Sequence, residues 1–274
     1  MRADVFLASG GYAPSREQAK RLILEGLVTV DGKPLRRAAE EIGEGAHTVT
    51  VSGPERFVSR GGNKLEAALA AFGLNPSGWR VLDIGASTGG FTDCLLRHGV
   101  AEVVAVDSGA GQLAEALRGD PRVRSREHCN ARDLTAETIG GRVRLIVMDV
   151  SFISATLILP RFPALLESVG DTVCLIKPQF EVGRANIGKG GIVRDPRAHR
   201  LAVDRVLDCA SALGLCAAGL IPSPILGGDG NREFLVRLTV GQTFPPLTAK
   251  QVAAVTANAA KGDGYAENCV GNKL

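Results

Sequence analysis

What this chain lacks narrows it first. Six cysteines, Cys94, Cys129, Cys174, Cys209, Cys216 and Cys269, form no CxxC pair and no metal-ligand spacing. They sit in apolar surroundings such as TDCLL and TVCLI, so buried, reduced thiols and no bound metal are expected. The four histidines show no spacing pattern either. No apolar run approaches the ~20 residues of a membrane span. The start, MRADVFLASGG, places Asp4 inside what would be the apolar stretch of a signal peptide. A cytoplasmic protein without membrane contact is expected, and a monomer. Charge of one sign is also missing. The net charge of +3 is far from that of a histone-like binder, so any nucleic acid must meet local basic patches. Aromatic residues are only 4%, but with 45% hydrophobic residues the composition is globular, enough for one ordinary domain and a small one.

The first 52 residues read as the small one. RADVFLASGG suggests a short helix ended by glycines, and Ser15 with Gln18 is a capping-box signature opening REQAKRLILEG. LVTVDGKPL carries Asp31-Gly32 between extended segments, a hairpin signal, and HTVTV alternates like a last strand. The second helix turns Arg16, Lys20 and Arg21 toward one side, and Arg36 and Arg37 follow the turn. Spacing leaves two readings open: a solvated helix face, or a surface for RNA phosphates. The stretch SREQAKRLILEGLVTVDGKPL resembles the S4 domain, matching S-R-x-x-A-x-x-L-I-x-x-G-x-V-x-V-(N/D)-G-x nearly in full. That resemblance implies RNA contact through the basic helix and the loop beside it.

Residues 53–60 read as a linker, and GGNKLEAALAAFG as a helix with an apolar stripe at Leu65, Ala68, Leu69 and Phe72. From Arg80 to about residue 242 apolar strands alternate with helices. A Rossmann-like, doubly wound parallel sheet follows, with an antiparallel edge where the late strands lack a helix between them. The domain is expected to span 61–242, with a weak helix and a Gly/Asn-rich tail over 243–274.

VLDIGASTGGFTDCLL is a strand, a glycine turn and a helix start. Such a turn lets a ligand approach the backbone, with free N–H groups at the helix N-terminus. Candidate cofactor contacts are Asp83, Gly85, Ser87, Thr88, Gly89, Gly90 and Phe91. Asp107 ends the next strand, where an acidic side chain usually takes ribose hydroxyls, and Asp133, in NARD, is open between an adenine contact and a solvated aspartate. Ser87 stands at the second glycine of G-x-G-x-x-G, which weakens a dinucleotide reading. A cofactor with adenosine and no pyrophosphate suits it better, and S-adenosylmethionine is the main one. Asp83 could then face its cationic amino-acid portion.

Four polar residues stand at the ends of apolar elements: Lys64 early in a helix, Asp149 after LIVM, Lys177 after TVCLI and Glu233 before FLVRL. In a doubly wound sheet the C-terminal strand ends share one rim. Glu233 joins that rim if its strand is reversed. This set resembles the K-D-K-E tetrad of FtsJ-type ribose 2′-O-methyltransferases. The whole chain resembles the TlyA family, also called haemolysin A, which joins an S4 domain to such an enzyme. The matching blocks are SRGGNKLEAAL, DIGASTGGFTDCLL, AVDSGAGQL, DVSFIS, KPQFEVGRANIGKGGIVRD and GNREFL. GGDGNREFL departs from the Gly-Pro that usually precedes the Gly-Asn turn, and the tail is also unlike the family's.

The resemblance implies methylation of cytidine 2′-hydroxyls in ribosomal RNA of both subunits. Lys177 would be the general base, Lys64 and Glu233 would position, and Asp149 would orient Lys177 near the reacting methyl. A free lysine titrates near ~10.4 and is a poor base at neutral pH. Burial and a second cation favour the neutral amine, while two carboxylates oppose it. Arg184, Lys189 and Arg194, in the glycine-rich loop after Lys177, are candidates for RNA phosphates. Three rivals stay open: a NAD-type oxidoreductase, a membrane-active cytolysin, and an RNA-binding module without catalysis.

Overall fold

The computed structural model describes residues 1–43, 45, 47–51, 56–258 and 270–271. The chain divides into two compact units, residues 1–55 and 56–274.

In the first, helices α1 (Ala3–Ser9) and α2 (Arg16–Leu24) pack on strands β1 (Val28–Val30), β2 (Lys33–Pro34) and β3 (Val49–Val51), in sheet order β2-β1-β3. The Ser15 side chain caps α2, accepting the Gln18 N–H at 3.2 Å. Asp31 and Gly32 turn the hairpin at φ 53° and 75°, the left-handed pair that a two-residue antiparallel connection requires. A core of Leu7, Ala19, Ile23, Val28 and their neighbours holds the unit together.

In the second, one eight-stranded sheet runs β11-β9-β10-β8-β7-β4-β5-β6. Its strands are β4 (Arg80–Ile84), β5 (Glu102–Val106), β6 (Val123–Arg126), β7 (Val143–Met148), β8 (Leu166–Ile176), β9 (Cys216–Pro222), β10 (Phe234–Val240) and β11 (Val270–Gly271). β6, β5, β4, β7 and β8 are mutually parallel, and β10 is antiparallel to both β8 and β9. The reversed strand expected at the edge therefore has β9 outside it, and β11 pairs antiparallel beyond that. Alternate residues of the central strands feed two cores. Val81, Val103 and Val147 meet α3 (Gly61–Phe72) and α4 (Gly90–Arg97) on one face; Leu82, Val104 and Ile146 meet α8 (Pro196–Ala212) and α9 (Ala249–Asn258) on the other.

The linker boundary differs from the sequence expectation. Of the linker expected over 53–60, residues 53–55 lie outside the described residues; Phe57, by contrast, is buried under α3 and belongs to the second unit. GQLAEALRG, residues 111–119, is helical only over α5 (Glu115–Arg118), and Leu113 and Leu117 pack onto Gly89. The segment over 155–167, which holds Pro160 and Pro163, is two 3₁₀ turns followed by α6 (Phe162–Leu165). α9 is no appendage, since Val252 and Val255 enter the core. Among the described residues, no helix is long and apolar enough to cross a membrane.

Candidate active site

The C-terminal ends of β4, β5 and β7 open into a cleft of about 670 Å³. Gly85, Ser87, Asp107, Asn130, Arg132, Asp149 and Phe152 are among the residues that line it. Its floor is the turn between β4 and α4. Gly85 sits at φ 83°, and a Cβ there would lie 2.3 Å from the Asp149 carbonyl oxygen, so only glycine lets β4 and β7 close together. Asp107 fixes the turn: its two carboxylate oxygens accept the N–H groups of Ser87 and Gly109, each at 2.8 Å. A carboxylate offers about four lone-pair sites, so hydroxyl donors still have room.

Asp83 lies behind this floor, fully buried. Thr92 donates to its Oδ2 at 2.7 Å, and its Oδ1 has no hydrogen-bond partner. Burial raises its carboxyl to about 7; Thr92 pulls the other way and Asp149 adds to the rise. The remaining turn residues are divided. Thr88 is exposed, while Gly89 and Gly90 form the buried start of α4. Phe91 belongs to the core between α3 and α4, because a residue one turn into α4 points at the neighbouring helix. Asp133 sits exposed in a 3₁₀ turn whose neighbours Asn130, Ala131 and Arg132 line the cleft, while Asp133 itself is not among its lining residues.

At one side of the cleft four charged side chains converge. Lys64 Nζ is 2.6 Å from Glu233 Oε2 and 3.9 Å from Asp149 Oδ2. Lys177 Nζ is 2.6 Å from Asp149 Oδ1 and donates to Ser151 Oγ at 2.8 Å. Asp149 thus stands between the two lysines. Reversal of β10 is what brings Glu233 here, since Phe234 pairs with Ile176 just before Lys177. Burial pushes the Glu233 carboxyl up, and the Lys64 ammonium pulls against it. A Cβ at residue 227 would fall 2.5 Å from Glu233 Oε1, which explains Gly227. Two lysines and two carboxylates thus alternate, and the buried pair Lys64–Glu233 compensates itself, as buried charges must.

Three features here went unread in the sequence. Phe152 takes φ 65° and is 92% exposed, its ring 5.5 Å from that of Phe180 at the rim of the cleft. A non-glycine residue in that region is uncommon and tends to occur at functional sites. Buried Glu181, in α7 (Pro178–Glu181), accepts the Ala155 N–H at 2.7 Å and the Ser154 hydroxyl at 2.5 Å, tying the segment after Asp149 to the segment after Lys177. Asn231 clamps the glycine-rich loop after Lys177: it accepts the Val193 N–H and donates to the Gly191 carbonyl, both at 2.9 Å. Arg184, Lys189 and Arg194 of that loop are exposed. In the first unit, Arg16 is paired with buried Asp4 at 3.0 Å, Lys20 with Glu17 at 3.3 Å and Arg21 with Glu25 at 2.7 Å. Arg36 and Arg37 are exposed.

The donor set tests which cofactor fits. Asp107 and Asp149 line the cleft together with Arg132. A ribose with free hydroxyls beside Asp107, and a cationic group near Asp149, suit the same residues. The family model of the FtsJ-like methyltransferase matches residues 57–240, and that of the S4 domain residues 1–47. The chain belongs to the FtsJ-like methyltransferase family. It is 46% identical to the Mycobacterium tuberculosis 16S/23S rRNA (cytidine-2'-O)-methyltransferase TlyA, over 91% of this chain and 93% of that protein. It is 41% identical to Hemolysin A of Brachyspira hyodysenteriae, over 88% of this chain and all of that one. A solved Streptococcus thermophilus structure described as a hemolysin superposes with TM-score 0.75 at 42% identity, covering 95% of this chain and 96% of that one. TlyA-family membership thus rests on sequence and fold together.

Proposed function

We propose that this chain methylates the ribose 2′-hydroxyl of cytidine in ribosomal RNA, with S-adenosylmethionine as donor. The observation that carries the reading is Asp149 between Lys177 and Lys64 at the wall of the cleft, with Glu233 completing the compensation. The relative named for cytidine-2'-O transfer supports the choice of substrate. When bound, S-adenosylmethionine supplies a methyl already activated on a sulfonium cation.

Gly85, Ser87 and Asp107 hold the adenosine side of the cofactor. Lys177, as the neutral amine, accepts the ribose hydroxyl proton on Nζ and becomes the ammonium; Asp149 keeps that nitrogen aimed and then faces its charge, while Ser151 takes one of its N–H groups. Lys64, anchored on Glu233, holds positive charge beside the hydroxyl oxygen as it loses its proton. Phe152 offers an exposed face on which an unstacked base can rest, a contact typically contributing about 1–3 kcal/mol. Arg16, Lys20, Arg21, Arg36 and Arg37 of the S4 unit, with Arg184 and Lys189, meet RNA phosphates.

The test exploits the chemistry of the product. Ribosomal subunits are incubated with the protein and methyl-labelled S-adenosylmethionine, and the RNA is hydrolysed in alkali. Alkaline cleavage needs a free 2′-hydroxyl. Label on the ribose appears in alkali-resistant dinucleotides beginning with cytidine. Label released in mononucleotides would place the methyl on a base and overturn the reading.

A further inference from the structure

Away from the cleft, α3 and α4 carry a second cluster of reactive side chains that no step above uses. Glu66 of α3 faces Cys94 of α4 and His98, the residue that ends α4. One potential ligand atom from each lies within 4.8 Å of the other two. His98 Nε2 is 2.7 Å from Glu66 Oε2, and the Cys94 thiol approaches the same oxygen at 3.6 Å. We propose that Glu66, Cys94 and His98 form a zinc site fastening α3 to α4.

Thiolate, imidazole and carboxylate are the three side-chain donors that zinc takes, with bonds of ~2.0–2.3 Å. Tetrahedral angles then set sulfur and oxygen about 3.5 Å apart, and nitrogen and oxygen about 3.3 Å apart. The Cys94–Glu66 separation already matches. The His98–Glu66 contact is short by about half an ångström, within reach of side-chain rotation. Cys94 and His98 are i and i+4, so one helical face presents both. Arg56 sits on the other Glu66 oxygen at 2.9 Å, which leaves Oε2 turned toward the cluster. Such an outer partner is the usual means of orienting a metal ligand. Arg97 is turned to Asp93 at 2.7 Å and does not compete. Cys94 is buried, while Glu66 and His98 are partly open, giving an entry path and a fourth position for water.

Burial and the neighbouring Glu66 push the Cys94 thiol well up, so the metal-free cluster keeps its proton. Zinc binding exchanges that S–H bond for a Zn–S bond and releases one proton to solvent. Sequence spacing alone misses the site because its third ligand comes from a different helix. The metal would tie the helix carrying Lys64 to the one that follows the glycine turn.

The full chain, stripped with chelator, is titrated with Co²⁺ as a coloured stand-in and then with Zn²⁺. One equivalent of Co²⁺ should give a thiolate-to-metal charge-transfer band that Zn²⁺ abolishes. Zn²⁺ at ~100 times its Kd should raise Tm by about 5 °C or more. Cys94→Ser and His98→Gln should each lose both signals while still binding S-adenosylmethionine calorimetrically. His98→Gln alters a partly exposed side chain and decides the matter if Cys94→Ser fails to fold. Absence of the band in the unaltered chain, or an equal Zn²⁺ shift in His98→Gln, overturns the site and leaves a hydrogen-bonded cluster. Neither result touches the methyl-transfer reading.

Discussion

The two units place their basic groups differently. In the S4 unit the basic residues of α2 keep their heads toward the surface, Lys20 and Arg21 in the pairs Lys20–Glu17 and Arg21–Glu25, Arg16 against buried Asp4. In the methyltransferase unit Lys64, Glu233 and Asp83 have been taken inside. Exposed pairs contribute about 0–1 kcal/mol each, so their cations can exchange carboxylates for phosphates at little cost. Buried charges are expensive unless compensated, and Lys64 and Glu233 compensate each other directly. On the proposed reading the first unit docks RNA and the second carries the reaction.

The contrast can be broken, starting from its largest consequence. Removing residues 1–55 should weaken action on ribosomal subunits by roughly 10²–10⁴-fold, the gain a tethered second binding module supplies, while calorimetric cofactor binding persists. Undiminished activity of the shortened chain would remove the docking role. Next, Lys64→Met should leave Glu233 buried and unpaired, costing about 3–5 kcal/mol in a urea melt. Burial already raises the Glu233 carboxyl, and loss of Lys64 removes the opposing pull. A raised carboxyl favours folding below its ordinary value and loses that as pH rises. The deficit should therefore be larger near about pH 8 than near about pH 5, and an equal deficit would contradict the pairing.

Asp83 gives a smaller, graded effect. Its carboxyl is raised from an ordinary 3.8 to about 7. Its contribution to stability is full below 3.8 and is lost as pH climbs through about 7. Unfolding free energies measured across that window should fall up to ~1.4 kcal/mol per pH unit more steeply in the parent than in Asp83→Asn. Parallel curves would show that the group is not buried as described. Smallest of all, Lys20→Ala should change stability by less than about 0.5 kcal/mol, yet lower the salt slope of RNA binding by roughly 1. An unchanged slope would return Lys20 to a purely solvated face.

How far these features could be read from sequence follows from how local their causes are. The central strands stood out because burial on both faces makes them continuous apolar runs, as in LIVM of β7. The meeting of Lys64, Asp149, Lys177 and Glu233 followed from strand direction, once β10 was read as reversed. Side-chain direction inside the glycine turn did not follow. Phe91 points to α3 and Asp133 to solvent because helix phase and a 3₁₀ turn decide, and neither is set by the motif. Nor did the left-handed Phe152, the Glu181 bridge or the Asn231 clamp, all of which depend on contacts between distant segments.

Lys177 is where the account is most directly exposed. In Lys177→Ala, calorimetry of S-adenosylmethionine and single-turnover methylation of ribosomal subunits should be measured on the same preparation. Cofactor affinity should stay within a few-fold of the parent, while the rate falls by about 10²–10⁴-fold, the usual contribution of a positioned base. A rate within a few-fold of the parent would contradict the assignment of Lys177 as the proton acceptor.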